Sequence, residues 1–199
     1  MGNTFKTAFL LTAMTLLLML IGASTVSAAP AVYSIDAAKS ALEFEFVQAG
    51  AKNKGRFPKL AVNFNFDAAN LAAAHLDVVI DLPALDSGDK ERDDTLRDAD
   101  LFDVAKFPQA HFAATQIVKT AAGGYEAVGS FTLRGVVRPL RVPFTLRSAT
   151  EQGASVLYMS GKTLIKRLDF GVGQGDWKST EWVGPDVNIT FTLRLVAAS

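Results

Sequence analysis

The residues of this chain with the means to do chemistry are few. They are His75 and His111, an acidic run holding Asp93, Asp94, Asp98, Asp100 and Asp103, and the stretch RLDFGVGQGDW at 167–177. That stretch places Gly171, Gly173 and Gly175 at every second position, which invites the reading of a phosphate cradle. A dinucleotide fingerprint spaces its glycines G-x-G-x-x-G between a strand and a helix, with an acidic residue about 20 positions on. Here the spacing differs, and the following DWKSTEWVG has no apolar helical period. A P-loop needs Gly-Lys-Ser/Thr, which is absent. The glycines instead suit a corner or loop where the backbone needs positive φ or close approach ahead of a last strand. Trp177 and Trp182, just beyond, are placed to plug one end of a barrel.

Neither histidine has partners for metal chemistry, since catalytic zinc takes about three protein ligands. Both are expected to point outward. The aspartates lack the D-x-[DN]-x-[DN]-G spacing of a calcium loop and read as a solvated helix face. No G-x-S-x-G elbow supports a nucleophilic serine. With no cysteine in the chain, thiol nucleophiles and Cys-metal sites are excluded. The expectation is a binding protein without a cofactor and not an enzyme.

Behind these residues stand elements with period two. In ALEFEFVQ, Leu42, Phe44 and Phe46 share one face; LAVNFNF repeats this with Leu60, Val62, Phe64 and Phe66. HLDVVIDL sets Leu76, Val78, Ile80 and Leu82 against Asp77 and Asp81, and DVNITFTLRL sets Val187, Ile189, Phe191, Leu193 and Leu195 against polar neighbours. Such alternation marks strands with one dry and one wet face. RPLRVPFTLR alternates too, and its Pro143 falls on the wet side at an edge or bulge. Weaker strands span 110–118, 125–133 and 154–165, the first two joined by a hairpin at Gly123-Gly124. The inner face of 154–165 is not legible. The charged segment 86–108 reads as one or two short helices, with Asp86 and Ser87 as N-cap candidates and Pro108 as a stop. About eight strands on short connections predict an all-β fold, an antiparallel eight-stranded barrel closed on itself so that edges vanish.

Residues 1–28 carry Lys6, about 15 apolar residues and the small-x-small triplet Val26-Ser27-Ala28, the pattern of a cleaved signal peptide. An uncleaved anchor would need a span of about 20. Residues 29–199 then form one exported, periplasmic domain. Lysine and arginine number 20, as do aspartate and glutamate, so nothing electrostatic favours nucleic acid as a partner.

Fourteen phenylalanines are present, many on dry faces. An eight-stranded barrel is just wide enough to fill with side chains or to hold one ligand. An empty apolar void of about 300 Å³ would cost about 7 kcal/mol, whereas a chain filling it gains about 0.8 kcal/mol per buried CH2. The expected lining is Leu42, Phe44, Phe46, Phe64, Phe66, Val78, Ile80, Phe112, Phe131, Phe144, Ile189 and Phe191.

Four segments in order, YSIDAAKSALEFEF, SGDKERDDTLRDADLFDVAKFPQAHF, GSFTLRGVVRPLRVPF and KRLDFGVGQGDW, resemble the YceI-like family of lipocalin-like periplasmic proteins. The resemblance implies a barrel whose apolar tunnel holds a polyisoprenoid or isoprenoid quinone. It also implies, as an alternative role, an interaction module for a cytochrome-b561-type membrane redox partner; an enzyme acting on a lipid-like substrate is the third reading. A homodimer is compatible with the sequence. Many members carry His-Ser where this chain has Lys39-Ser40, and a histidine where it has Gln48-Ala49-Gly50. Lys39 and Arg92 are the cations placed to substitute for them towards a head group.

Overall fold

The computed structural model describes residues 31–198; the leader read over 1–28 lies outside them. Ten strands follow one another: β1 (Ala31–Ile35), β2 (Ala41–Gln48), β3 (Ala51–Arg56), β4 (Leu60–Phe66), β5 (His75–Asp81), β6 (Gln109–Lys119), β7 (Tyr125–Leu133), β8 (Val136–Glu151), β9 (Ala154–Lys166) and β10 (Asp186–Ala197). Between β5 and β6 lies one α-helix, α1 (Lys90–Arg97).

Ten strands make eight staves. β1 and β2 both pair antiparallel with β10, at Tyr33↔Ala197 and Phe44↔Ile189, and are one stave broken by a 3-10 turn at Ala37–Lys39. β3 and β4 pair with β2 and β1 in the same way and form a second, broken at Phe57-Pro58-Lys59, where proline cannot continue a ladder. From there the chain meanders through β5 to β10, and the contact of β10 with β1 closes the ring. Closure removes the long edges that would otherwise template aggregation.

The ring is not laced along its whole height. Among the described residues β3 has no neighbour on its far side beyond a single bridge, Arg56↔Asp86, and α1 lies across that end of the barrel. The β8–β9 ladder runs from Glu151↔Ala154 to Phe144↔Gly161 and stops there, one residue short of Pro143 on the way back towards β7. Pro143 is exposed, as its parity requires.

The helix begins one turn later than its charge pattern indicates. Asp89, not Asp86 or Ser87, is the N-cap: its carboxylate accepts from the Arg92 N–H at 3.1 Å. Asp86 instead accepts from the Gly88 N–H, and Asp93 reaches back to the Ser87 N–H at 2.8 Å. Asp93 and Asp103 are buried, whereas Asp94, Asp98 and Asp100 are exposed. Asp93 is held inside as a local acceptor and the Asp103 carboxylate lies 3.4 Å from Lys106 Nζ, so these two depart from the reading of a solvated acidic face while the other three keep to it. His75 is exposed; His111 is half-buried on the outer face, 2.7 Å from Asp77.

One polar clasp ties the first stave to the far side of the sheet. Arg194 on β10, with 11% of its side chain exposed, donates to Asp36 at 2.7 Å and to Glu151 at 2.8 Å. Glu151 also accepts from the Tyr158 hydroxyl. The Tyr158 and Arg194 bonds hold the Glu151 carboxyl below its ordinary range. A depressed carboxylate contributes stability that is complete above the unfolded value, about 4.3, and is lost as pH falls through the lower native value. Thermal midpoints recorded from pH 6 to 3 should fall on the acid side, and Glu151→Gln should flatten that fall. Parallel curves for the two proteins would contradict this role.

Candidate functional site

The barrel is hollow. A cavity of about 590 Å³ runs inward from the α1 end, lined almost wholly by apolar side chains. Of the side chains expected there, Leu42, Phe44 and Phe46 on β2, Val78 and Ile80 on β5, Phe112 on β6, Phe131 on β7, Phe144 on β8 and Ile189 and Phe191 on β10 all line it. Period-two alternation puts them inside because each alternate Cβ points to the barrel axis.

Phe64 and Phe66 do not reach the hollow. They are buried at the other end, their rings stacked at 5.0 Å, with Phe64 edge-on to Phe144 at 6.2 Å and Phe66 edge-on to Tyr125 at 5.3 Å. Tyr125 stacks in turn on Phe144 at 5.6 Å. These four rings form a floor. Their parity is inward, but β4 runs past the depth at which the hollow ends.

The lining includes residues that alternation alone does not select. Phe57 and Phe102, from turns, meet edge-on at 6.2 Å near the helix, and Phe57 lies 5.0 Å from Phe44. Met159, Thr163 and Ile165 show the inner face of β9. Close approach also has its residues: a Cβ on Gly161 would meet the Phe191 ring at 2.6 Å and the Pro143 carbonyl at 2.3 Å. Glycine there lets the Phe191 ring lie against the wall.

The glycine stretch proves to be a cradle, but for the chain's own Arg167. A 3-10 turn, Arg167–Phe170, ends on Gly171 in the left-handed region at φ 69°. The loop then wraps the Arg167 guanidinium, which is 4% exposed. Its Nε donates to Gly184 O at 3.0 Å; Nη1 donates to Val172 O at 3.0 Å and Trp177 O at 2.7 Å; Nη2 donates to Ser179 O at 3.2 Å and Val183 O at 2.8 Å. Five N–H donors meet five carbonyls, so the side chain is fully satisfied. Gly173, at φ 116°, makes this geometry available, because a Cβ there would sit 2.0 Å from Nη1. Burial lowers the Arg167 pKa from the ordinary arginine value. Asp100 O ties the loop to the helical segment by accepting from the N–H groups of Gly173 and Gln174.

This network holds one wall of the mouth. Val172, Trp177 and Val183 of the loop line the cavity, whereas Trp182 is 68% exposed and plugs nothing. The hollow is also lined by Asp89, the N-cap of α1, by Glu91, Arg92 and Thr95 of the helix, and by Gln48. Arg167 has no donor left for a ligand. Arg92, 3.6 Å from Asp89, is the cation at the rim. Lys39 lies on the 3-10 turn between β1 and β2, and no part of it lines the hollow.

The YceI-like domain model matches residues 33–195. A UPF0312 protein of Vibrio cholerae is 33% identical over 165 residues, 78% of this chain and 87% of that protein. Among solved structures, Burkholderia cenocepacia BcnA superposes with a TM-score of 0.74 at 32% identity, covering 80% of this chain and 98% of that one. A structure described as a polyisoprenoid binding domain from Saccharophagus degradans shares the fold, with a TM-score of 0.60 at 20% identity over 83% of this chain and 98% of its own. A match spanning almost every described strand, joined to an eight-stave barrel around an apolar hollow, places this chain in the YceI-like family.

Proposed function

We propose that this protein binds an isoprenoid lipid, a polyprenyl chain or an isoprenoid quinone, in its barrel and carries or sequesters it in the periplasm. The observation that carries the reading is the apolar hollow of about 590 Å³ with one polar rim. Left empty, such a void is costly; each CH2 placed in it gains about 0.8 kcal/mol, enough for useful affinity after the costs of association. The polyisoprenoid description of the Saccharophagus neighbour supports the same cargo class. Binding rather than catalysis is the role that lining and kinship favour. The apolar run before Ala28 supports export.

The hollow also bears on the rival role of a module for a cytochrome-b561-type membrane protein. That role asks for a core too full for cargo, and the open volume favours the carrier. The rim carries Asp89 and Glu91 beside Arg92, and Arg167 has its donors spent on carbonyls, so an uncharged head such as an alcohol or quinone fits better than a diphosphate. Native mass spectrometry and organic extraction of the exported protein test the reading. A prenyl lipid should co-purify, and a prenyl alcohol should bind at least tenfold tighter than its diphosphate. A protein that emerges bare and takes up no prenyl compound would overturn it.

A further inference from the structure

We infer that the aromatic floor headed by Phe144 sets the length of tail this barrel accepts, at about four to five isoprene units. The inference rests on the isoprenoid reading above and adds a limit to it. A 150 Å³ apolar cavity holds one benzene, or about 25 Å³ per carbon. At that density a hollow of about 590 Å³ takes about 24 carbons.

What ends the hollow is a specific stack. Phe144, 4% exposed, borders the cavity on one side and meets Phe64 and Tyr125 on the other. Its backbone is held between two strands, opposite Tyr125 on β7 and Gly161 on β9. Phe64 is fully buried and pairs across strands with Leu76, itself part of the cavity wall. A tail growing inward meets the Phe144 ring, backed by Phe64 and Tyr125, with Leu76, Met159 and Leu193 completing the wall beside it. Carbons beyond the limit must part these rings or remain at the polar rim, and neither adds affinity.

The test is a ladder of linear prenyl alcohols from C10 to C45, titrated against the full exported protein by competition and native mass spectrometry. Affinity should climb at least tenfold per isoprene unit to about C20 and then level off by C25. Phe144→Ala removes six ring carbons, about 150 Å³, and should move the plateau outward by about one unit. Leu76→Phe raises the floor from the opposite wall and should move it inward, so that the result does not depend on the alanine variant folding. Affinity that keeps climbing to C45 in the native protein, or a plateau unmoved in both folded variants, overturns the ruler while leaving the carrier intact. Failure to bind at any length overturns the carrier and the ruler together.

Discussion

Arg167→Ala is expected to lower the thermal midpoint by about 10 °C, because five carbonyls lose their donor at once. At about 1 kcal/mol net for each hydrogen bond the loss is about 3–5 kcal/mol, allowing water to reach some of the acceptors. For a domain of this size, 1 kcal/mol corresponds to about 2–4 °C. Arg167→Lys should recover little, since an ammonium offers three donors from a point and cannot span carbonyls contributed by Val172, Trp177, Ser179, Val183 and Gly184. Gly173→Ala approaches the same network from the backbone. Its methyl would sit 2.0 Å from the guanidinium and 2.7 Å from Trp177 O, on a residue at φ 116°, and the loss should match that of Arg167→Ala. Thermal melts followed by circular dichroism read all three. A shift of less than about 2 °C for Arg167→Ala would mean that the loop holds itself together without the guanidinium. Because Val172, Trp177 and Val183 wall the mouth, any surviving variant should also release cargo faster.

The second large effect concerns cargo and spares the fold. Val78→Trp, at a half-buried position on the wall, adds seven heavy atoms, or about 175 Å³. That is close to a third of the hollow. Prenyl affinity should fall about 100-fold, while the midpoint of the cargo-free protein stays level or rises as empty volume is filled. Competition titration and thermal melts on the same preparation separate the two effects. Unchanged affinity would place the lipid somewhere other than the barrel.

Much of this architecture is legible in the residues, and the limits of legibility are physical. Alternation fixes which side chains face inward, which is why Phe44, Phe112 and Ile189 are found on the cavity wall. It does not encode height along the barrel axis. Phe64 and Phe66 have the right parity and the wrong depth, because depth depends on the register between strands far apart in sequence. The breaks that turn ten strands into eight staves are only half-written: Pro58 announces one, while the turn at Ala37–Lys39 has no breaker residue. The role of Gly173 is hidden for a similar reason. Its partner, Arg167, lies close in sequence, but the acceptors that fix that side chain arrive from as far as Gly184. Asp89 displaces Asp86 as the cap because Asp86 is already engaged by Gly88 and Arg56.

The unlaced stretch beyond Phe144 and Gly161 bears on how a bulky, branched molecule enters at all. Over 136–143, β8 bonds to β7, and over 162–166, β9 bonds to β10, so each flank keeps its own ladder. Across it the Thr163 hydroxyl donates to Arg141 O at 3.4 Å. Of the wall around the hollow, this is a stretch where two neighbouring strands are each laddered to their outer partners and not in register with one another, so it is a seam that a bulky guest would disturb least.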